Sequence, residues 1–424
     1  MTQSSVVRFG QHLPPRGKDD ADYVPQLVEA ILDGARRASA SDVHLRVNDG
    51  RFEMRWRIDG VLQHITDFPL DLAPKIVARL KVLADLLTYR TDVPQEGRLR
   101  DGQETGLETR ISTFPTLFGE KVVIRLFAAV GRYRRLDDLG LPDDVLNPLR
   151  RLLDETGGAI LLTGPAGSGK TTTIYACLRE IVDKSEGNRS LVSLEDPVEV
   201  VVPGVDQSQV QPSVGFDMPT GLRSLLRQDP EVMMVGEIRD QVTAETVFQA
   251  SLTGHLVLTT FHAGSAARAV TRLADMGIEP YLLRSGLLAI LSQRLVRRLC
   301  SCAGETTDAD ARLGLPVETV RVPTGCDGCG GTGYRGRVVL PEMLLLQHTE
   351  IGRAILSRCD AGRIEQLAVE AGLLNQWERA CRAVRDGLTS PAEVRRVFGI
   401  SRENRNSGHP PDERGVSTLR QDAS

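Results

Sequence analysis

The feature that most constrains the fold is a glycine-rich octapeptide, GPAGSGKT, at residues 164–171. It follows the short apolar run Ala159–Thr163 and precedes a helical pattern that begins near Lys170. The octapeptide satisfies every fixed position of the G-x-x-x-x-G-K-[ST] phosphate-loop pattern, in which backbone amides and a helix N-terminus surround phosphate groups. A glycine-rich turn without a ligand is the alternative, and the strand–helix context argues against it. The residues predicted to bind a nucleotide are Gly164, Pro165, Ala166, Gly167, Ser168, Gly169, Lys170, Thr171 and Thr172.

Short apolar runs alternate with helical patterns after residue 157. Strands that are buried on both faces read as continuous apolar runs, so this alternation predicts a parallel sheet of the α/β class. In such a sheet Lys170 would contact the β- and γ-phosphates of ATP, and Thr171 would hold Mg²⁺. The predicted strands are Ala159–Thr163, Ser190–Leu194, Glu231–Val235 and Leu256–Thr260.

Acidic residues follow two of these predicted strands: Glu195 and Glu199 follow one, and Glu237 follows another. Hydrolysis of ATP needs carboxylates that hold the metal and orient a water molecule, and the ends of neighbouring parallel strands are the expected place for them. A single acid at a strand end is often only a helix cap. Two such ends beside a phosphate loop favour a catalytic role.

The first part of the chain has a different pattern, which predicts an α+β domain over residues 22–129. A helical period over Val24–Ala35 changes to strand-like alternation, with turn residues at Asn48–Gly50 and Asp59–Gly60. The remaining predicted elements are a helix from Pro74 to about Leu87 and strands at Glu108–Phe114 and Glu120–Phe127.

Length and composition exclude several classes of protein. A chain of 424 residues exceeds one compact domain. A formal net charge of −4 gives no electrostatic footprint for nucleic acid, so direct nucleic-acid binding is not expected. The N-terminus lacks the apolar region of a secretory signal, and no apolar run approaches the length of a membrane span. We therefore expect a cytoplasmic protein.

Several segments resemble the motor ATPases that drive type II secretion and type IV pilus assembly. The resemblance covers about residues 23–398, and the motifs occur in the order typical of that family. The matching segments are the Walker B region at 225–240, the aspartate box at 195–199, the histidine box at 253–262, parts of a PAS-like N-terminal module at 40–44 and 57–60, and two downstream motifs at 293–300 and 333–337.

The resemblance implies a ring-shaped homo-hexamer with ATP between the two domains. It implies that Glu195 activates the attacking water with support from Glu199, and that Glu237 coordinates Mg²⁺ or the water network. The choice of general base between Glu195 and Glu237 stays open. The other implied site residues are His255 and His262, which would sense the γ-phosphate, and Arg98, Arg110 and Arg125, which would approach the nucleotide. For each arginine, a solvated strand face is the alternative.

Four of the seven cysteines form two close pairs. Cys326 and Cys329 have the C-x-x-C spacing that lets two thiolates face one metal ion. Cys300 and Cys302 are spaced as C-x-C, where the resembled family usually has C-x-x-C. We predict that the four thiolates hold a structural Zn²⁺, and reduced cysteines without a metal are the alternative.

The predicted division of the chain is a disordered N-terminus at 1–22, a PAS-like α+β domain at 23–130, a linker at 131–152, a RecA-like P-loop ATPase domain at 153–400 and a disordered tail at 401–424. Within the ATPase domain, the cysteine module spans 300–337 and C-terminal helices span 341–400. About twenty residues precede the first predicted helix. We therefore expect docking to the membrane platform through the first domain, the cysteine module or the C-terminal helices.

The resulting hypothesis is a hexameric ATPase motor that drives pilin or pseudopilin assembly. It would act on an inner-membrane platform protein and lie peripheral to that membrane through its partners. A conjugation or type IV secretion ATPase is the nearest alternative, and salt-dependent DNA binding would favour it. The other alternative is a non-hydrolysing, nucleotide-gated scaffold of the same machine, which ATP binding without phosphate release would favour.

Overall fold

The computed structural model describes residues 22–99, 109–126, 133–346 and 349–399. The segments predicted to be disordered, 1–22 and 401–424, lie outside these residues except for Asp22. Two β-sheets, each covered by its own helices, organise the described chain. Among the described residues, no helix combines the length and the apolar character needed to cross a bilayer.

The first sheet has six strands in the order β3-β2-β1-β6-β5-β4, and every neighbouring pair is antiparallel. Two helices pack on one face, where Ile31 and Ile76 join Leu45, Met54 and other apolar residues in one core. The elements are α1 (Tyr23–Arg37), β1 (Asp42–Asn48), β2 (Arg51–Ile58), β3 (Val61–Phe68), α2 (Ala73–Leu83), β4 (Gln95–Leu99), β5 (Thr109–Thr116) and β6 (Gly119–Leu126).

Both predicted turns of this first sheet are present. Asp49 and Gly50 join β1 to β2, and Asp59 and Gly60 join β2 to β3, all four with positive φ. Two-residue hairpin loops of this kind favour Asp-Gly because both central residues need left-handed backbone. Strand β4 was not predicted, since its sequence, Gln95–Leu99, is mostly polar.

The second sheet has seven strands in the order β15-β12-β7-β11-β10-β8-β9. Six of them are parallel, and β15 pairs antiparallel with β12 at one edge. The elements are α3 (Asp143–Leu152), β7 (Gly158–Thr163), α4 (Lys170–Ser185), β8 (Leu191–Glu195), β9 (Asp206–Gln209), α5 (Met218–Leu225), β10 (Val232–Val235), α6 (Gln241–Leu252), β11 (Leu256–Phe261), α7 (Ala266–Asp275), α8 (Pro280–Gly286), β12 (Leu287–Leu299), β13 (Gly304–Thr306), β14 (Val320–Val322), β15 (Tyr334–Leu345), α9 (Thr349–Leu356), α10 (Ala361–Glu370), α11 (Gln376–Arg385) and α12 (Pro391–Phe398).

Helices cover both faces of this second sheet. On one face, α4 contributes Ile174, Leu178 and other apolar residues to a core that α3 also joins. On the other face, Phe248 of α6 and Val270 of α7 lie in a second core. The predicted α/β class with a parallel sheet is confirmed, because the four predicted strands are β7, β8, β10 and β11.

The long strands β12 and β15 were not predicted as strands. C-terminal helices were predicted from residue 341, but strand β15 runs to Leu345. The first described helix after it begins at Thr349. The predicted linker at 131–152 contains α3, which includes Pro148. The small sheet of β13 and β14 lies within the predicted cysteine module.

Candidate nucleotide site and cysteine cluster

The phosphate loop lies between β7 and α4, as the sequence predicted. Gly164 has φ +143°, and a Cβ there would lie 2.4 Å from the carbonyl oxygen of Gln293, so only glycine fits. Lys170 is the first residue of α4 and is only 8% exposed. Its ammonium donates to the carbonyl oxygens of Gly164 (2.9 Å) and Pro165 (3.1 Å), which places the charge inside the loop.

An open cleft of about 280 Å³ lies beside the loop. Tyr133, Leu139, Leu295 and Val339 supply an aromatic and apolar wall at one part of it. Such a wall next to a phosphate cradle suits a flat, apolar base attached to phosphates. The other lining residues are Gly167, Ser168, Gly169, Lys170, Thr171, Thr172, Thr173, Glu199, Gln293 and Arg337.

Glu237 follows β10 and faces the loop together with His262, which follows β11. The Nε2 atom of His262 lies 3.0 Å from Oε1 of Glu237, and its Nδ1 atom lies 3.2 Å from the carbonyl oxygen of Gly164. The carboxylate of Glu237 also accepts a hydrogen bond of 2.9 Å from Nε of Arg239. Burial lowers the pKa of Lys170, and the negative charges of Glu237 and Glu199 oppose that decrease.

Glu195 is buried beneath the cleft rather than exposed in it. It is 2% exposed and accepts hydrogen bonds from three side chains. The donors are the Tyr175 hydroxyl (2.5 Å), the Ser193 hydroxyl (2.6 Å) and Nε2 of Gln207 (3.0 Å). Its carboxylate is therefore satisfied within the protein.

Glu199 is the acidic residue of the aspartate box that lines the cleft. Burial and then the negative charge of Glu195 raise its pKa, and the positive charges of Arg110, Arg125 and Lys170 oppose the rise. A carboxylate of this kind is a stronger base than an exposed glutamate, and it lies near the Lys170 ammonium.

The register of the first sheet aligns the three predicted arginines in one row on the face opposite the helices. Arg98 of β4 pairs with Arg110 of β5, which pairs with Arg125 of β6. Arg125 in turn pairs with Asp42 of β1, and its Nε lies 3.2 Å from Oδ1 of that residue. Arg110 and Arg125 approach the second sheet closely enough to act on Glu199, and Arg98 lies at the far end of the row.

A second contact joins the two sheets close to the cleft. The amide of Gly336, at the start of β15, donates a hydrogen bond of 2.8 Å to Oδ2 of Asp59. Nε of Arg337, a cleft residue, lies 4.0 Å from the other carboxylate oxygen of Asp59. The turn between β2 and β3 is therefore fixed beside the candidate nucleotide site.

The structure does not bring His255 to the phosphate loop of this chain, and its role as a γ-phosphate sensor stays a prediction. His255 precedes β11, whereas His262 follows it, so the two residues lie at opposite ends of the strand, roughly 20 Å apart. Nδ1 of His255 lies 3.0 Å from the carbonyl oxygen of Ala250, at the end of the sheet away from the loop. A motif that spans a whole strand cannot bring both of its ends to one edge of the sheet.

The four predicted cysteine ligands converge on one point. Their sulfur atoms all lie within 4.8 Å of one another. The Sγ atoms of Cys300 and Cys326 are 3.8 Å apart, as are those of Cys326 and Cys329, and those of Cys302 and Cys329 are 3.9 Å apart. A tetrahedron with metal–sulfur bonds of about 2.3 Å has edges of about 3.8 Å. The C-x-C spacing of Cys300 and Cys302 is therefore compatible with a metal site.

Backbone amides favour the thiolate form of Cys329 within the cluster. Burial alone would raise the pKa of Cys329, but hydrogen bonds from the amides of Cys326 and Gly333 and from neighbouring thiols outweigh burial and lower that pKa to about 6. Both amides lie 3.2 Å from its sulfur. Thiolates are the form in which cysteine binds metal ions.

Several residues of the site were not assigned from the sequence. Tyr175 and Gln207 contact Glu195, and Gln293 contacts Thr173 through hydrogen bonds of 3.0–3.3 Å. Tyr175 occupies an apolar position of a helical pattern. The hydrophobic period of that pattern predicts that Tyr175 is buried but does not predict what its hydroxyl contacts. Gln293 belongs to the downstream motif at 293–300, which was identified only by its resemblance to the family and was given no role in the site.

Comparison with known proteins identifies the family. The family model described as "Type II/IV secretion system protein" matches residues 17–396. The type IV pilus assembly ATPase TfpB of Acinetobacter baylyi is 37% identical over 411 residues, which cover 94% of this chain and 69% of that protein. The type II secretion system ATPase E of Vibrio cholerae is 40% identical over 397 residues, which cover 90% of this chain and 76% of that protein.

A solved structure supports the fold. The structure of the Legionella pneumophila ATPase DotB aligns with a TM-score of 0.65 and 20% identity, over 90% of this chain and 97% of that chain. These comparisons confirm the family and the class of enzyme predicted from the sequence, an ATP hydrolase of the secretion and pilus-assembly type. The chain belongs to the type II/IV secretion system protein family.

Proposed function

We propose that the protein is a hexameric ATPase motor that drives the assembly of pilin or pseudopilin subunits. The observation that carries this proposal is the convergence of groups from both sheets on one phosphate loop. Lys170, Glu199 and Glu237 belong to the unit of the second sheet, and the positive charges of Arg110 and Arg125 on the first sheet act on Glu199. A site divided between two units ties their relative position to the nucleotide, as a motor requires.

The loop residues fit ATP with Mg²⁺. The Ser168 hydroxyl is buried without a hydrogen-bond partner, and it lies in the loop whose amides would surround phosphate oxygens. The Thr171 hydroxyl and the Glu237 carboxylate would hold Mg²⁺, which neutralises negative charge on the phosphates when it is bound. His262 holds Glu237 in place through the contact of 3.0 Å.

We assign the water-activating role to Glu199. It lines the cleft, and its raised pKa favours proton uptake from water. The resemblance to the family implied Glu195 for this role, but three hydrogen bonds hold the Glu195 carboxylate within the protein. Glu195 would support Glu199 instead, because its negative charge contributes to the raised pKa of Glu199. The arginines would stabilise the negative charge that develops on the transferred phosphoryl group.

The names of the relatives support the biological setting. One is a type IV pilus assembly ATPase and another a type II secretion system ATPase. By analogy, we propose a homo-hexamer that lies in the cytoplasm, peripheral to the inner membrane, and acts on a platform protein there. The first six-stranded unit would be the PAS-like module that moves against the RecA-like unit.

We also propose that the cysteine cluster holds a structural Zn²⁺. Three of the six sulfur–sulfur distances are 3.8–3.9 Å, as in a tetrahedral site, and all six are within 4.8 Å. The ion would tie the chain at Cys300 and Cys302 to that at Cys326 and Cys329. It would therefore fix the segment between β12 and β15.

The test is Mg²⁺-dependent phosphate release measured over a range of protein concentrations. We expect the specific activity to rise with assembly and to vanish in Lys170→Ala. The matched control is Lys184→Ala, which removes an exposed lysine of the same helix that pairs with Asp154 at 3.1 Å. Tight ATP binding without phosphate release at every concentration would contradict the proposal and support the scaffold alternative.

A further inference from the structure

Tyr175 connects the phosphate-loop helix to both glutamates of the aspartate box. It lies on α4, five residues after Lys170, and is 3% exposed. Its hydroxyl donates a hydrogen bond of 2.5 Å to Oε2 of Glu195. The same hydroxyl accepts a hydrogen bond of 3.1 Å from the backbone amide of Glu199.

The hydrogen bond that the Tyr175 hydroxyl accepts fixes the backbone that carries Glu199. Glu199 lies between β8 and β9, in a segment outside the helices and strands. Gln207 supports the same segment, because its Nε2 donates to the carbonyl oxygen of Val200 (3.0 Å) and its Oε1 accepts from the amide of Val202 (2.6 Å). The Tyr175 hydroxyl holds the residue that faces the cleft.

The hydrogen bond that the hydroxyl donates to Glu195 fixes the orientation of the hydroxyl itself. Burial and the nearby Glu195 carboxylate both raise the pKa of Tyr175, so the phenol keeps its proton and remains a donor. With its proton directed at Glu195, the oxygen presents a lone pair to the Glu199 amide. Glu195 thereby orients the phenol, and the phenol orients Glu199.

A purely structural tyrosine is the alternative. Tyr175 packs in an apolar core with Ile174 and Leu178, and its ring would fill that space without the hydroxyl. Phenylalanine could do the same. Packing alone does not require the hydroxyl, which contacts the carboxylate of Glu195 and the backbone amide of Glu199.

We propose that Tyr175 is a positioning residue for ATP hydrolysis, which it serves by holding the Glu199 segment against the phosphate-loop helix. The inference rests on the proposed function, since it assigns Tyr175 a part in the same reaction. It also links the nucleotide to the aspartate box, because Tyr175 and Lys170 belong to one rigid helix. A shift of the helix start on ATP binding would be transmitted to Glu199.

The test compares Tyr175→Phe with Ser193→Ala in steady-state ATP hydrolysis. Tyr175→Phe removes the bonds to both Glu195 and Glu199, whereas Ser193→Ala removes only a bond to Glu195. We expect kcat to fall at least tenfold in Tyr175→Phe with KM changed less than twofold, and to fall less than threefold in Ser193→Ala. Tyr281→Phe, at a 58% exposed position on α8, serves as the control.

Two kinetic outcomes would overturn the inference. An unchanged kcat in Tyr175→Phe would show that the hydroxyl has no part in turnover. Equal losses in Tyr175→Phe and Ser193→Ala would show that the effect runs through Glu195 and not through the Glu199 segment. An inactive wild-type protein would instead contradict the proposed function itself, so the two failures are distinguishable.

Hydrogen exchange provides a test that does not depend on the folding of a variant. In the wild-type protein, the amide of Glu199 donates to a buried hydroxyl, so it should exchange much more slowly than an unstructured amide. Exchange of this amide at the unstructured rate would overturn the inference. In a folded Tyr175→Phe variant we expect faster exchange at Glu199 and unchanged exchange in β8.

Discussion

Arg110 and Arg125 lie directly opposite each other on neighbouring antiparallel strands, on the sheet face turned toward Glu199. Like charges in a direct cross-strand pair destabilise a sheet unless an anion balances them. Asp42 lies 3.2 Å from Arg125 and balances part of this charge. Under the proposed function, the pair would also stabilise negative charge on the phosphates of the bound nucleotide.

Arg110→Ala should therefore reduce ATP hydrolysis more than ATP binding. We expect kcat to fall at least tenfold, because a guanidinium that stabilises developing phosphoryl charge acts mainly in the transition state. The matched control is Arg55→Ala, which removes an arginine bound to Glu53 at 2.6 Å on β2 of the same sheet. Steady-state kinetics and nucleotide titration of both variants give the comparison. Equal kcat values in the two variants would contradict a role for the arginine pair.

The raised pKa of Glu199 predicts opposite effects on turnover and stability. The folded state favours the protonated carboxyl, so its contribution to stability is greatest at low pH and declines as the pH rises through the raised pKa. Glu199→Gln keeps the shape and removes the charge. We expect a higher melting temperature at pH 7.5 and at least a hundredfold loss of kcat.

The stability difference between Glu199→Gln and the wild-type protein should vanish on acidification, because the wild-type carboxyl is then neutral as well. In the wild-type protein, kcat should fall on acidification at a pH above the usual range of a glutamate. Melting curves and kcat profiles from pH 5 to 8 measure both effects. A lower melting temperature for Glu199→Gln at pH 7.5 would contradict this account.

The sequence predicted which residues follow parallel strands, but it did not predict the residues that surround them. The phosphate loop, Glu237 and His262 converge because each follows a parallel strand, and such strands end at one edge of a sheet. His255 does not join them, because the same motif also covers the start of β11. Tyr175 was missed because hydrophobic periodicity reports burial and cannot report what a buried hydroxyl contacts.

Sequence patterns also could not predict contacts between distant parts of the chain. Asp59 and Gly336 are 277 residues apart, yet they form the hydrogen bond that joins the two units beside the cleft. Strand β12 carries Arg294 and Arg297, so its polar pattern did not resemble a buried strand. Buried partners such as Gln376 and Glu393 satisfy these arginines, and they lie far along the chain.

The cysteine cluster predicts a defined metal content. We expect about one Zn²⁺ per chain in the purified wild-type protein and a large loss of zinc in Cys302→Ser, because removal of one thiolate opens a tetrahedral site. The control is Cys359→Ser, since Cys359 is partly exposed and lies outside the cluster. Elemental analysis of the three proteins measures the zinc. Metal-free wild-type protein with the melting temperature unchanged by added zinc would contradict the assignment.

Glu393 anchors the last described helix to β12 just before the cysteine cluster. The residue is fully buried, and its carboxylate accepts bonds from the amide (2.9 Å) and guanidinium (2.8 and 2.9 Å) of Arg297 and from the guanidinium of Arg396 (2.6 and 2.8 Å). Burial alone would raise its pKa, but the hydrogen bonds from Arg396 and Arg297 outweigh burial and lower it. The charged carboxylate therefore stabilises the fold.

Glu393→Ala should lower the free energy of unfolding of this unit by about 3–5 kcal/mol, because it leaves Arg297 without its buried partner. Since the folded pKa lies below the unfolded value, the stabilisation is present above the usual pKa of a glutamate. It is lost as the pH falls through the folded pKa. The control, Glu378→Ala, removes an exposed ion pair with Arg382 and should change stability by about 0.5 kcal/mol or less. Urea unfolding at pH 7.5 and near pH 4 measures these differences, and a Glu393→Ala effect that grows on acidification would contradict the prediction.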